Sequence, residues 1–203
     1  MGFYQQRILP KIISCGMNNK AMAKYRPRIP PLASRRVLEV GLGSGLNIPY
    51  YTTAVEHLFG LEPSRQLLGE AEALAAEAPF PVDLIAGSAE DIPLETASID
   101  MVVSTWTLCS IPKIELAMQE MRRVLKPGGR LLFLEHGRAP DAGVARWQDR
   151  ITPVFRVLAG CNINRPIDQL INDAGFDFVD IQRDYMDGPR FIAYHFIGQA
   201  QPR

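Results

Sequence analysis

At 203 residues the chain can bury a single core without a metal or disulfide to hold it, and its 22 basic and 22 acidic residues cancel. That balance removes the electrostatic reason to expect nucleic acid or an anionic membrane as a general partner. Cys15, Cys109 and Cys161 are odd in number and lack zinc-type spacing, so the expectation is a reducing, cytoplasmic compartment with no metal site and no disulfide framework.

No apolar run approaches the roughly 18 residues of a membrane span, so no transmembrane segment is expected. Residues 1–34 read as an N-terminal extension and residues 35–203 as the regular domain. In the extension, Arg7 and Lys11 stand beside Ile8, Leu9, Ile12 and Ile13. Lys11 breaks an export signal, and the apolar spacing predicts an amphipathic helix. It is read as a lid on the domain, with peripheral contact to a membrane surface as the alternative. The prolines of Tyr25-Arg26-Pro27-Arg28-Ile29-Pro30-Pro31 then predict an extended connection.

From Arg35 the pattern alternates. It predicts a strand over 37–40, a helix from about Asn47, a strand over 55–61, a helix over 64–77 capped by Ser64, and strands over 82–86 and 98–104. A helix over 113–125, stopped by Lys126-Pro127-Gly128-Gly129, and a strand over 130–136 follow. Beyond His136 come an amphipathic stretch over 141–158, a helix over 167–174 closed by Gly175, and strands over 178–185 and 190–197 joined by Asp187-Gly188-Pro189. Strands separated by helices imply an α/β fold with a mostly parallel sheet and helices on both faces. The final pair predicts an antiparallel C-terminal hairpin.

The chemistry-bearing stretch is Val37-Leu38-Glu39-Val40-Gly41-Leu42-Gly43-Ser44-Gly45-Leu46-Asn47, a strand ending in a glycine-spaced turn. Gly41, Gly43 and Gly45 admit positive φ and leave no Cβ between the main chain and a bound adenosine. A dinucleotide fingerprint wants its third glycine where Leu46 stands, which disfavours a nicotinamide-dependent oxidoreductase. The GxGxG spacing suits S-adenosylmethionine, which has no pyrophosphate to place on a helix N-terminus. Glu62 closes the second strand at the spacing expected of a ribose-binding carboxylate, an acceptor for both hydroxyl protons.

Glu39-Val40-Gly41-Leu42-Gly43-Ser44-Gly45, Gly87-Ser88-Ala89-Glu90-Asp91-Ile92-Pro93, Asp100-Met101-Val102-Val103-Ser104 and Arg123-Val124-Leu125-Lys126-Pro127-Gly128-Gly129 resemble the successive motifs of small-molecule class I methyltransferases (methyltransferase type 11 domain). The ubiquinone and menaquinone methyltransferases share this pattern. Leu108-Cys109-Ser110, Glu135-His136, Trp147-Gln148, Pro153 and Gly160-Cys161-Asn162 resemble the methyltransferase-like thiol methyltransferases of membranes and lipid droplets. The resemblance runs from about residue 35 to 198. Those relatives begin with a hydrophobic membrane anchor that is not read here, so membrane residence is not carried over.

The resemblance implies a Rossmann-like fold, S-adenosyl-L-methionine as cofactor and S-adenosyl-L-homocysteine as product. With the motif reading it implies cofactor contacts at Glu39, Gly41, Gly43, Gly45 and Asn47, at Glu62 and Pro63, at Ser88, Ala89 and Glu90, and at Ser104 and Thr105. Methyl transfer from a sulfonium is an in-line displacement with an activated donor, so the protein mainly aligns the partners and excludes water. A base is needed for an alcohol or phenol, whereas a thiol of pKa about 8.5 already supplies some thiolate. At the ends of strands four and five, Trp106 and Leu108 are candidate walls of an acceptor pocket. His136 is the candidate base, and Arg138 and Arg165 are candidates to attract an anionic group. Cys109 and Cys161 read as small buried apolar residues with no nearby histidine in sequence. The expectation is a methyltransferase acting on a small, largely apolar molecule, a thiol ahead of a quinone, quinol or phospholipid amine, with a noncatalytic cofactor-binding domain as a competing reading.

Overall fold

The computed structural model describes residues 16–18 and 20–203. Strands β1 (Arg35–Val40), β2 (Val55–Glu62), β3 (Val82–Ala86), β4 (Ile99–Thr105), β5 (Leu125–His136), β6 (Phe176–Tyr185) and β7 (Tyr194–Pro202) form one seven-stranded sheet in the order β3-β2-β1-β4-β5-β7-β6. The first five pair in parallel, and β7 runs antiparallel to both β5 and β6. The central strands carry apolar residues on both faces, as a sheet sandwiched between helices requires.

Helices α1 (Arg65–Ala76), α2 (Ile114–Val124), α3 (Ala142–Ala159) and α4 (Ile167–Asp173) supply the layers. On one face Met118 and Met121 of α2 and Ile167 and Ile171 of α4 pack on Leu38, Val102, Leu131 and Phe133. On the other, Leu68 and Ala71 of α1 join Ile29 and Ala33 of the N-terminal segment against Val37, Val103, Leu132 and Leu134. The period-two alternation of β1, β4 and β5 therefore divides the core into two halves. Among the described residues no helix is long and apolar enough to cross a membrane.

Four local expectations are corrected. The helix expected from about Asn47 is a 3-10 turn, Ile48–Tyr50, that ends because the backbone is already extended at Tyr51. The prolines after Tyr25 start two 3-10 turns, Arg26–Arg28 and Pro30–Leu32, where an extended connection was expected, and they bury Ile29. Lys126-Pro127-Gly128-Gly129 does end α2, but β5 already begins at Leu125. The register shifts between the Ile99↔Leu125 and Met101↔Arg130 pairs, and Gly128 at φ +78° absorbs the bulge. The strand expected over 190–197 opens with a helical turn, Arg190–Ala193, in which Ile192 and Ala193 N–H both donate to Pro189 O at 3.0 Å. The apolar residues Ile8, Leu9, Ile12 and Ile13 of the expected lid lie outside the described residues.

Candidate functional site

The strand order reverses between β1 and β4, and in open α/β sheets the crevice beyond the carboxyl ends at such a point takes ligands. Here it is a cleft of ≈ 240 Å³ walled by the turn after β1, the end of β2, residues 87–89 after β3, the segment from Thr105 to Pro112, and Met17 and Arg26. Of the expected cofactor residues, Glu39, Gly41, Gly43, Asn47, Glu62, Pro63, Ser88, Ala89 and Thr105 line it, together with Trp106 of the expected acceptor wall.

Two glycines make the turn possible for different reasons. A Cβ on Gly41, at φ +72°, would lie 2.3 Å from the Thr107 side chain, so only glycine lets β1 turn beneath the segment after β4. A Cβ on Gly43, at φ +59°, would meet nothing within 4 Å, which leaves its backbone bare. Gly43 N–H donates to Glu62 Oε2 at 3.1 Å and Ser64 N–H donates to Oε1 at 2.9 Å. Burial pushes the Glu62 carboxyl up, opposed by those two bonds. Each oxygen keeps a further lone pair, which fits a pair of ribose hydroxyls.

At the methionine end of the expected cofactor site a buried polar network crosses the cleft floor. Asn47 Nδ2 donates to Glu39 Oε1 at 2.6 Å and to Thr105 Oγ1 at 2.8 Å, and Tyr51 OH donates to Glu39 Oε2 at 2.8 Å. Arg26 Nη1 donates to Asn47 Oδ1 at 2.8 Å, and its guanidinium lies 5.2 Å from the centre of the Trp106 ring. Burial pushes Glu39 up to about 7, against the Tyr51 and Asn47 bonds and the Arg26 charge. Trp106 has φ +51°, a conformation rare for a bulky residue, and it turns Thr107 N–H onto Glu135 Oε1 at 3.0 Å.

The remaining expected residues lie elsewhere. Gly45 faces helix α1: a Cβ there would meet Ala71 and Ile48 at 3.0 Å, so this glycine serves close packing. Glu90 Oε1 accepts from Lys113 N at 2.6 Å at the start of α2. Ser104 is buried in the sheet and donates to Glu135 Oε1 at 2.7 Å. Leu108 is core. Arg165 donates to the carbonyls of Leu108 and, at 2.6 Å, Ile111, so it braces the cleft wall from behind. Arg138 pairs with Asp149 at 2.6 and 3.0 Å. His136 is buried outside the cleft, with Nε2 3.1 Å from Cys161 Sγ.

Residues missed in sequence include Arg26, Met17 and Thr107, none of which carries a spacing signal. Cys109 and Cys161 are buried in an apolar cluster, as expected, but both also lie against His136, which the sequence did not signal. Their separation along the chain hid this. His195, likewise missed, accepts from Trp106 Nε1 at 3.0 Å through Nε2. Its Nδ1 lies 2.7 Å from Ala193 O, and burial pushes its pKa down to about 4, so the ring is neutral and donates from Nδ1.

A family model described as a methyltransferase domain matches residues 38–133. The chain is 30% identical over 173 residues to the thiol S-methyltransferase TMT1B of Rattus norvegicus, covering 81% of this chain and 69% of that protein. It is 27% identical over 128 residues to the ubiquinone/menaquinone biosynthesis C-methyltransferase UbiE of Rubrivivax gelatinosus, covering 63% of this chain and 50% of that protein. The fold matches the crystal structure of a SAM-dependent methyltransferase, possibly a histamine N-methyltransferase, from Thermotoga maritima with a TM-score of 0.70 at 20% identity, covering 98% of this chain and 97% of that one.

Proposed function

We propose, for a chain that belongs to the class I S-adenosylmethionine-dependent methyltransferases, that the methyl acceptor is a small, largely apolar thiol. In this reading Glu62 accepts from the ribose hydroxyls, and the bare backbone at Gly43 admits the adenosine. Ser88 and Ala89 border the base, and Glu39, Asn47 and Thr105 form the floor under the methionine moiety. Arg26 is the cation available to that moiety's carboxylate. Bound there, the sulfonium supplies a methyl group already activated for displacement. The chain contributes alignment and exclusion of water through Met17, Leu46, Trp106, Ile111 and Pro112, an effect worth roughly 7–11 kcal/mol in well-oriented reactions. Met17 and Arg26 belong to the N-terminal segment, which supports reading that segment as a lid.

The observation that carries the thiol is the direction of the two buried histidines. His136 faces Cys161, and His195 is held between Trp106 and Ala193 O, so neither presents a base to the cleft. A quinol or phenol needs a base, and the carboxylates that line the cleft are already engaged, Glu39 by Asn47 and Tyr51 and Glu62 by Gly43 and Ser64, whereas a thiol ionises enough by itself near pH 8. The relationship to a protein named as a thiol S-methyltransferase supports the same choice. The test is transfer of a labelled methyl group to a series of small thiols, a quinol analogue and a phospholipid amine. Thiol products should dominate, with rates rising through each thiol's own pKa. Methylation of the quinol or the amine with none of any thiol would overturn the assignment.

A further inference from the structure

Cys109 follows β4, His136 ends β5 and Cys161 follows α3. The fold brings one nitrogen and two sulfur atoms of these side chains within 4.8 Å of one another, with His136 Nε2 3.1 Å from Cys161 Sγ. We propose that Cys109, His136 and Cys161 bind a zinc ion, with a water in the fourth position. Tetrahedral zinc has Zn–S near 2.3 Å and Zn–N near 2.0–2.1 Å, which sets its ligand atoms about 3.5–3.8 Å apart. Side-chain movements of about an ångström reach that arrangement from the present one.

The chemistry of the donors selects the ion. Two thiolates and an imidazole are soft and borderline ligands, suited to zinc and poorly suited to magnesium or calcium. Two thiolates cancel the charge of a divalent ion, so the complex needs no further counter-charge. Ile163, with Ile151, Phe155 and Phe191, packs against the two cysteines, and the oppositely charged Glu135 and Arg165 stand near them, so a neutral complex fits the site. His136 Nδ1 is buried without a hydrogen-bond partner among the described residues, so no hydrogen bond fixes the ring at that atom.

The site lies behind the cleft. Cys109 Sγ is 3.4 Å from the hydroxyl of Ser110, and Ser110 lines the cleft. A bound ion would therefore tie the wall between Trp106 and Pro112 to the end of β5 and the end of α3, and would act by fixing that wall.

The test uses the reduced 203-residue chain carrying Cys15→Ser, titrated with cobalt(II) and then zinc(II). One cobalt per chain should bind with the ligand-field spectrum of a tetrahedral thiolate complex, and zinc should displace it. Zinc should also raise the melting temperature. Changes in a metal's outer shell cost about 10–100-fold in affinity, so Cys161→Ser and His136→Ala should each weaken zinc by about 100-fold or more in chelator competition. Cofactor-product binding by calorimetry should persist in both variants. Failure of the reduced chain to take up either ion would overturn the site, as would equal zinc affinity in folded Cys161→Ser. A Cys109–Cys161 disulfide in protein purified without reductant, joined to no metal uptake after reduction, would assign the pair to redox chemistry.

Discussion

Replacing Glu39 by glutamine should abolish a pH dependence of stability that this one buried carboxyl imposes. Glu39 is 1% exposed, and burial raises its pKa from the ordinary 4.5 to about 7. Between those values the folded chain keeps a proton that the unfolded chain has released. The contribution is thus fully present below about pH 4.5 and is lost as pH rises to about 7. One pKa unit is about 1.36 kcal/mol, so the whole loss is about 3 kcal/mol. Glutamine keeps the shape, accepts from Asn47 through Oε1, can donate to the Tyr51 oxygen through Nε2, and cannot ionise. Urea unfolding of the cofactor-free proteins should therefore show wild type losing about 3 kcal/mol relative to Glu39→Gln from pH 4.5 to 7, with a constant difference above. At a slope of about 1–3 kcal/mol/M, the relative midpoint moves by about 1 M or more. Parallel pH profiles for the two proteins would refute the reasoning.

Glu62→Gln should weaken S-adenosylhomocysteine binding by about 1.5–3 kcal/mol, the range for hydrogen bonds to a charged group, as read by calorimetry; unchanged affinity in a folded variant removes Glu62 from the site. Gly43→Ala should cost only the left-handed backbone preference, about 1–2 kcal/mol, or a few degrees of melting temperature. Gly41→Ala should cost more because its Cβ would also press on Thr107, and the reverse order in scanning calorimetry would contradict the packing argument. Arg138→Ala breaks an exposed pair and should change stability by no more than about 1 kcal/mol, with the acceptor KM unmoved; a large rise in KM would return Arg138 to the acceptor site.

The turn after β1 and the carboxylate at the end of β2 were legible because each is local. Glycines at 41 and 43 carry their positive φ wherever the chain goes, and two apolar strands in succession fix where Glu62 emerges. The parallel strands and the breakers Ser64, Gly128 and Gly175 were legible for the same reason: backbone sterics and near-neighbour hydrogen bonds act within a few residues. Where a strand-end side chain points depends instead on sheet order and on what packs over it. His136 carries no sign in sequence that it will meet Cys161, nor Arg26 that it will reach Asn47 and lie over Trp106. Arg165 gives no hint that its guanidinium will hold the carbonyls behind the cleft wall. The sequence by itself determined the sheet, the glycine turn after β1 and the carboxylate that meets it at the end of β2, because short-range geometry encodes them. The tertiary structure alone decided which side chains face the cleft and which close behind it, because crossovers and inserted strands set contacts between residues far apart in the chain.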